Sequence, residues 1–216
     1  NWSAVDAVEI VNGGSLLRFG SAEGPFSAVA FWERLLNRGS RITAVAGSDS
    51  HDPTASPDRQ VPVGRPRTVV FADSLSQRDL LAGLRAGRAF VDVQGSRTRF
   101  VDLRVVSGGQ ATTMGASIAL ARGTALEVEV TVRDVPGAQV HLIRGDDGTH
   151  REAMRFRVET PDALLRHAAA ASGCSGWIRA DVRDAEGALL LVSNPVYLLP
   201  ETKQTSSCKG DVVNRH

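Results

Sequence analysis

Apolar and polar positions in the first 95 residues of the chain alternate between the spacing of strands and the spacing of helices. Short apolar runs predict buried strands, and apolar residues three and four positions apart predict helices with one buried face. The predicted strands are 5–11, 42–46 and 68–72, and the predicted helices are 25–38 and 76–85. Strands that alternate with helices indicate an α/β unit with a parallel sheet and crossover helices. These few elements amount to part of a barrel.

Beyond residue 95, apolar and polar residues alternate mostly at every second position, which is typical of strands with one buried face. The strand-like segments are 100–106, 125–132, 138–143, 156–159, 176–183, 188–192 and 196–199. Turn-forming residues separate them, and they predict an antiparallel all-β sandwich of the immunoglobulin-like kind. The chain is thus divided into an α/β region (1–95), a β region (96–200) and a polar tail (201–216) that we expect to be disordered.

The turn after the predicted strand 42–46 contains two candidate metal ligands, Asp49 and His51, in the sequence Gly-Ser-Asp-Ser-His. The carboxyl end of a strand in an α/β fold is where side chains are presented to a pocket. A carboxylate oxygen and an imidazole nitrogen together suit zinc, manganese or iron. Because the pattern is short, two interpretations stay open. The pair is either half of a metal site, or a turn aspartate that binds its own backbone beside a surface histidine.

Several segments of the α/β region, among them Gly-Ser-Asp49-Ser-His51, occur in the order and spacing of a known family. They are 6–13, 31–39, 44–51, 64–71 and 80–91. In these segments the chain resembles the C-terminal half of a PHP (polymerase and histidinol phosphatase) domain, and more narrowly the carbaryl-hydrolase-like branch of those metallohydrolases. Residues 191–197 resemble the last strand of the β-domain that is appended to the same branch.

The resemblance implies a distorted βα barrel whose strand ends hold divalent metals for hydrolysis of phosphoesters or related esters. In that family the late Asp-x-His motif supplies two metal ligands, which assigns this role to Asp49 and His51. The other ligands come from a His-x-His pair, further histidines and a glutamate in earlier motifs, and this sequence contains no His-x-His. We therefore expect an incomplete site in a truncated part of a hydrolase, without turnover by the chain alone.

Three further residues are candidates for contact with the substrate or for support of the metal ligands. Glu9 is a carboxylate in a largely apolar strand, where it is costly unless it is paired or coordinates a metal. Similar PHP domains have a glutamate here that lies behind the ligands. Asn12 ends the same strand, and Arg67 follows a Pro-rich segment; its guanidinium matches an anionic substrate oxygen. The alternative for that segment is a plain surface connection.

Composition limits the possible partners. The chain has 216 residues, a formal net charge of +1 and 42% hydrophobic residues, which indicates a soluble globular protein. Its charges are scattered, so we expect no nucleic-acid partner, and no apolar run reaches the ~18 residues of a membrane span. The chain starts without an initiator methionine or a signal peptide, and we assign neither a compartment nor an oligomeric state. Cys174 and Cys208 are either one bridge or two free thiols.

These observations predict part of a divalent-metal-dependent hydrolase with phosphoesterase-like chemistry. Its substrate would be a small-molecule ester or phosphoester, attacked by a water that the metal activates. The alternative is a non-catalytic binding or structural module, in which the loop around Asp49 is vestigial and the β region contacts a partner.

Overall fold

The computed structural model describes residues 4–24, 27–52, 54, 56, 59, 61–146 and 148–201. The helices are α1 (Gly13–Phe19), α2 (Val29–Asn37) and α3 (Gln77–Arg85). The strands before residue 95 are β1 (Ala7–Asn12), β2 (Thr43–Gly47), β3 (Arg67–Val70) and β4 (Ala89–Asp92). The later strands are β5 (Phe100–Ser107), β6 (Gln110–Thr113), β7 (Ser117–Leu120), β8 (Ala125–Arg133), β9 (Gln139–Asp146), β10 (Thr149–Arg157), β11 (Asp162–Ala170), β12 (Gly176–Arg183), β13 (Leu189–Ser193) and β14 (Val196–Pro200). The described part of the chain is mostly β and contains several sheets.

β1 and β2 form a two-stranded parallel sheet, with α1 and α2 between them in the chain. The buried residues of α2 are Val29, Trp32, Leu35 and Leu36. They recur three and four positions apart, which confirms the predicted helix and its apolar face. The helix begins at Val29 rather than at residue 25, and Pro25 and Phe26 lie outside the described residues. The short helix α1 was not predicted, because it begins with two glycines, which are poor helix formers.

β3 and β4 do not extend the parallel sheet. They pair antiparallel with each other, and β4 pairs antiparallel with β13. Every residue of β4 is buried, as expected for a strand in the interior of a sheet. Parallel pairing of the early strands is therefore limited to β1 and β2, and the sheets of the described residues do not include a βα barrel. The eight-stranded sheet crosses the predicted boundary at residue 95, because it contains β3 and β4.

The strands after residue 95 belong to two sheets that share one core. The larger sheet has the order β10-β9-β12-β13-β4-β3, with β14 beside β12 and β7 beside β14. The smaller sheet has the order β11-β8-β5-β6. Buried residues alternate with less buried ones along β8, as the period-two pattern predicts. The core includes Leu103 and Val130 of the smaller sheet and Val140 and Leu191 of the larger one, so the two sheets face each other.

A second core cluster joins α2 to the larger sheet through Trp32 and Trp177. The guanidinium of Arg179 on β12 lies 5.2 Å from the ring centroid of Trp32 and 5.5 Å from that of Trp177. Arg179 also donates two hydrogen bonds to Asp181, of 2.8 and 2.9 Å, and one of 2.7 Å to Glu33 of α2. The α/β region is therefore attached to the larger sheet by a buried ion cluster as well as by apolar contacts.

The cysteines and the polar tail are described only in part. Cys174 is disulfide-bonded rather than a free thiol, and Cys208 lies outside the described residues. The tail predicted to be disordered also lies outside them, apart from Glu201. Within the described ranges, no helix has the length and apolar character needed to cross a lipid bilayer.

Candidate metal-binding loop

The candidate site lies where β1 and β2 end side by side. Asn12, the last residue of β1, is paired with Gly47, the last residue of β2. Because the two strands are parallel, their carboxyl ends meet at one edge of the sheet. The loop that follows Gly47 contains Asp49 and His51, so both candidate ligands leave the sheet beside Asn12.

The side chains of Asp49 and His51 converge. Oδ1 of Asp49 lies 3.7 Å from Nε2 of His51. The other ring nitrogen, Nδ1, lies 2.7 Å from the backbone oxygen of Asp49. A carbonyl oxygen only accepts hydrogen bonds, so Nδ1 is the donor in this contact. In the neutral ring, Nε2 then presents its lone pair near the Asp49 carboxylate.

This geometry fits two ligands of one divalent metal ion. Two donors bound to zinc at ~2.1 Å with a tetrahedral angle are about 3.4 Å apart, which is close to the 3.7 Å between Oδ1 and Nε2. A bond from Nδ1 to a backbone carbonyl is the arrangement that orients metal-binding histidines in proteins. Among the residues that the structure describes, no group of three or more His, Cys, Asp or Glu side chains is placed to hold a metal ion.

The backbone and the exposure of the loop separate it from the core. Asp49 has a φ of 52°, in the left-handed region that non-glycine residues seldom adopt. Aspartate tolerates this conformation better than most residues, but it still costs free energy relative to glycine. The side chains of Asp49 and His51 are 52% and 82% exposed. Both side chains are thus largely accessible from solvent, as the interpretation of His51 as a surface histidine expects.

Glu9 and Asn12 form a polar pair at the end of β1. Nδ2 of Asn12 donates to Oε2 of Glu9 at 3.0 Å. Oδ1 of Asn12 accepts a 2.8 Å hydrogen bond from the backbone N–H of Gly14 and caps α1. The Glu9 carboxylate also lies beside Gly47, where an added Cβ would be 3.1 Å from Oε1. Glu9 is exposed, so the burial cost that drew attention to it does not apply. The Glu9 side chain nevertheless reaches Asn12 and Gly47, at the strand ends from which the loop departs.

Arg67 is placed against a buried carboxylate. Its Nη2 lies 3.2 Å from Oδ2 of Asp92, its cross-strand partner on β4. The side chain of Asp92 is fully buried, and this burial raises the pKa of its carboxyl group. The charge of Arg67 and the backbone N–H groups of Gln94 and Gly95 oppose that rise. Arg67 therefore compensates a buried charge, a role that its position before a strand did not reveal.

Two polar side chains that the sequence analysis did not single out bind the backbone of β2. Asn194, between β13 and β14, is hydrogen-bonded to both backbone polar groups of Ala44. Thr68 of β3 is bonded to both backbone polar groups of Ala46. Asn194 and Ala44 are 150 residues apart in the chain. Because no local pattern links positions at this separation, the contact could be found only in the folded structure.

Comparison with known proteins adds little to this description. No family model matches the chain. No curated protein matches it either. Among solved structures, the chain is similar to the X-ray structure of a Northeast Structural Genomics Consortium target, SoR45, with 10% sequence identity and a TM-score of 0.28. The alignment covers 55% of this chain and 92% of that one. A likeness at this level carries no argument, so any function rests on the residues described above.

Proposed function

We propose that this chain carries the late Asp-x-His ligand pair of a divalent-metal-dependent hydrolase of the PHP type. The main supporting observation is that Oδ1 of Asp49 and Nε2 of His51 lie 3.7 Å apart, next to the joint end of two parallel strands. The left-handed backbone of Asp49 adds support, because such conformations cluster at functional sites. The resemblance of residues 1–95 to part of a PHP domain suggests the class of reaction, hydrolysis of an ester or phosphoester.

Each candidate residue has a role in this proposal. A zinc, manganese or iron ion would lower the pKa of a bound water to about 7 and polarise the substrate oxygen. Asp49 contributes a charged oxygen ligand, and His51 contributes a nitrogen ligand oriented by its bond to the Asp49 carbonyl. Glu9 and Asn12 add negative charge and hydrogen-bonding capacity at the neighbouring strand end. Arg67 is 29% exposed beside Asp92 and stays a candidate contact for an anionic substrate oxygen.

The proposal also assigns the elements of the fold to two parts of such a hydrolase. β1, α1, α2 and β2 would belong to the last part of a PHP-like barrel, and the two facing sheets would be an immunoglobulin-like sandwich. The resemblance assigns the remaining metal ligands to motifs that this sequence does not contain. We therefore expect the chain alone to bind a divalent metal weakly and not to turn over substrate.

A second candidate function is a non-catalytic binding or structural module. The observation that favours it is the exposure of the loop, because 52% of the Asp49 side chain and 82% of the His51 side chain face solvent. Catalytic metal sites are normally enclosed, since excluding water strengthens their electrostatic interactions. In this alternative the loop is a surface turn, and the larger or the smaller sheet contacts a partner.

A zinc titration separates the two functions. NMR would follow the ring protons of the five histidines while Zn²⁺ is added to the metal-free chain. We expect the His51 signals to shift at the lowest metal concentration and this shift to disappear in Asp49→Ala. The matched control is His167→Ala, because His167 lies on β11 in the smaller sheet. This variant should leave the His51 response unchanged.

The hydrolase proposal would be contradicted by either of two results. In the first, His51 responds to zinc no earlier than the other histidines do. In the second, Asp49→Ala responds as the unmodified chain does, which would show that the two side chains do not share an ion. Both results favour the binding module.

A further inference from the structure

Within the described residues, β2 has one edge that pairs with no strand through backbone hydrogen bonds, although β3 and β4 lie beside it. Its other edge pairs with β1. Along a strand, alternate residues direct their backbone N–H and C=O groups toward the same edge. Ala44 and Ala46 are two apart, so their backbone groups point to the same side of β2. An unpaired strand edge near the core leaves polar groups that must find other partners.

Asn194 provides the partners for Ala44. Its Oδ1 accepts a 2.8 Å hydrogen bond from the Ala44 N–H, and its Nδ2 donates to the Ala44 oxygen at 3.1 Å. A carboxamide presents an acceptor and a donor side by side, which is what the backbone of an adjacent strand would present. Asn194 therefore takes the place of a strand at this point of the edge.

Thr68 does the same for Ala46 with a single hydroxyl group. Its Oγ1 accepts from the Ala46 N–H at 2.9 Å and donates to the Ala46 oxygen at 3.0 Å. Ala46 precedes Asp49 by three residues. The backbone groups of Ala46, which Thr68 holds, thus lie close in the chain to the candidate metal ligands.

Asn194 is itself held firmly. It is 1% exposed, and its Nδ2 also donates to the Ala89 oxygen of β4 at 2.8 Å. The preceding residue, Ser193, accepts a 2.8 Å hydrogen bond from the Ala180 N–H of β12. The oxygen of the following residue, Pro195, accepts one of 2.7 Å from the Gly115 N–H. Asn194 is therefore fixed by the larger sheet, and its hydrogen bonds to Ala44 hold β2 at a defined position relative to that sheet.

We propose that Asn194, together with Thr68, is a positioning residue for the loop of Asp49 and His51. The two side chains fix the position of β2 relative to the larger sheet. They thereby fix the point at which the loop leaves β2. The inference rests on the proposed function for its chemical consequence, which is the placement of two metal donors. In this inference the β region helps to position the candidate metal ligands, because Asn194 lies between β13 and β14, the last two strands of that region.

The test uses two variants of the edge, one rescue and one control. Asn194→Asp keeps the acceptor for Ala44 but replaces the amide that donates to the oxygens of Ala44 and Ala89 with a carboxyl oxygen. Thr68→Val replaces the hydroxyl group with a methyl group of similar size, and Thr68→Ser keeps the hydroxyl group but loses the methyl group. The control is Asn37→Ala, which removes another interface amide that accepts from Trp177 Nε1 and has no hydrogen bond to β2 among the described contacts.

Two measurements are made on each variant. NMR of the metal-free chain follows the amide signals of residues 48–51 and the hydrogen exchange of Ala44 and Ala46. In Asn194→Asp and Thr68→Val, we expect the loop signals to shift and both amides to exchange faster, while Thr68→Ser resembles the unmodified chain. The zinc dissociation constant measured at His51 should rise about tenfold, which is the usual effect of changing residues that orient metal ligands without binding the metal. Asn37→Ala should lower the unfolding temperature without changing the loop signals or the zinc affinity.

The inference is overturned if the loop signals stay unchanged in both edge variants, or if Asn37→Ala shifts them equally. Should the unmodified chain fail to bind zinc at His51, the proposed function fails, and the metal-free loop signals still decide the role of Asn194. If Asn194→Asp does not fold, Thr68→Val and its serine rescue carry the same decision.

Discussion

Two groups of titratable side chains in this chain combine an acid with a base in opposite surroundings. Arg179 is 2% exposed and donates three hydrogen bonds to Asp181 and Glu33 between two indole rings. Asp49 and His51 are 52% and 82% exposed, and their facing atoms are 3.7 Å apart. The atoms of the first group are joined by hydrogen bonds of 2.7–2.9 Å, whereas Oδ1 of Asp49 and Nε2 of His51 are farther apart than a hydrogen bond. Burial and distance, rather than residue type, therefore separate a structural cluster from a candidate site.

The buried group is stabilised by its own geometry. Burial alone would lower the pKa of Arg179, but the carboxylates of Asp181 and Glu33 outweigh it and raise that pKa above its ordinary value. The charge therefore persists at all ordinary pH values, and its partners depend on it. A charge left alone in this environment would be strongly destabilising.

The largest expected effect is that of Arg179→Met, which keeps an apolar stem but removes the charge. It removes the buried guanidinium that bonds to both Asp181 and Glu33, so we expect the free energy of unfolding to fall by about 3–5 kcal/mol. Urea denaturation followed by tryptophan fluorescence measures this change. The control is Arg183→Met, whose partner Glu23 is 41% exposed, and its loss should be about 1 kcal/mol or less. Equal losses in both variants would remove the distinction between the two groups.

A smaller effect is expected for Asn37→Ala at the same interface. Trp177 is 1% exposed, and its Nε1 donates to Oδ1 of Asn37 at 3.0 Å. Without this acceptor a buried N–H has no partner, which costs about 1–3 kcal/mol of unfolding free energy. Urea denaturation again provides the measurement. A loss as large as that of Arg179→Met would indicate that the amide holds α2 to the larger sheet as strongly as the ion cluster does.

Asp92 tests whether burial or the neighbouring charge of Arg67 has the larger effect on the pKa of a buried carboxyl group. Burial raises the pKa of Asp92 above its ordinary value of 3.8 despite the opposing charge of Arg67. Between 3.8 and the raised pKa, the folded chain binds more protons than the unfolded chain. The free energy of unfolding therefore falls as pH rises through this window, and the loss is complete above it.

Asp92→Asn does not titrate and serves as the reference. We expect the unfolding free energy of the unmodified chain minus that of the variant to fall as pH rises from below 3.8. Urea denaturation over a pH series measures this difference. A difference that rises with pH would mean that the charge of Arg67 dominates and lowers the pKa of Asp92.

The parts of the fold that local spacing determines could be predicted from the sequence. The apolar face of α2 follows from residues three and four apart. The start of α3 follows from Ser76, whose Oγ accepts a 3.1 Å hydrogen bond from the Asp79 N–H. The pairing of β4 with β13 could not be predicted, because their partners are about a hundred residues apart and either strand would suit many neighbours.

For the candidate site as well, only the features that depend on nearby residues could be predicted from the sequence. Asp49 and His51 follow a strand that is only partly buried in the structure. Their position after a predicted strand and the chemistry of their side chains indicated the loop. Their exposure, the pairing of Arg67 with Asp92 and the contact of Asn194 with Ala44 all depend on which distant strands are neighbours. Short-range patterns contain the chemistry of the donors, and long-range packing determines what surrounds them.

The smallest expected effect concerns the backbone of Asp49, and it separates a functional residue from an ordinary turn residue. Its φ of 52° suits glycine better than aspartate. Asp49→Gly should therefore raise the free energy of unfolding by about 0.5–1 kcal/mol, because relief of the strained conformation outweighs the added freedom of the unfolded chain. The same variant should abolish the zinc response of His51, since it removes the carboxylate. A gain in stability together with a loss of zinc binding would mean that the loop keeps a costly residue for its chemistry. If Asp49→Gly is instead less stable, the carboxylate supports the turn, and the exposed pair has a structural role like that of Arg179 and Asp181.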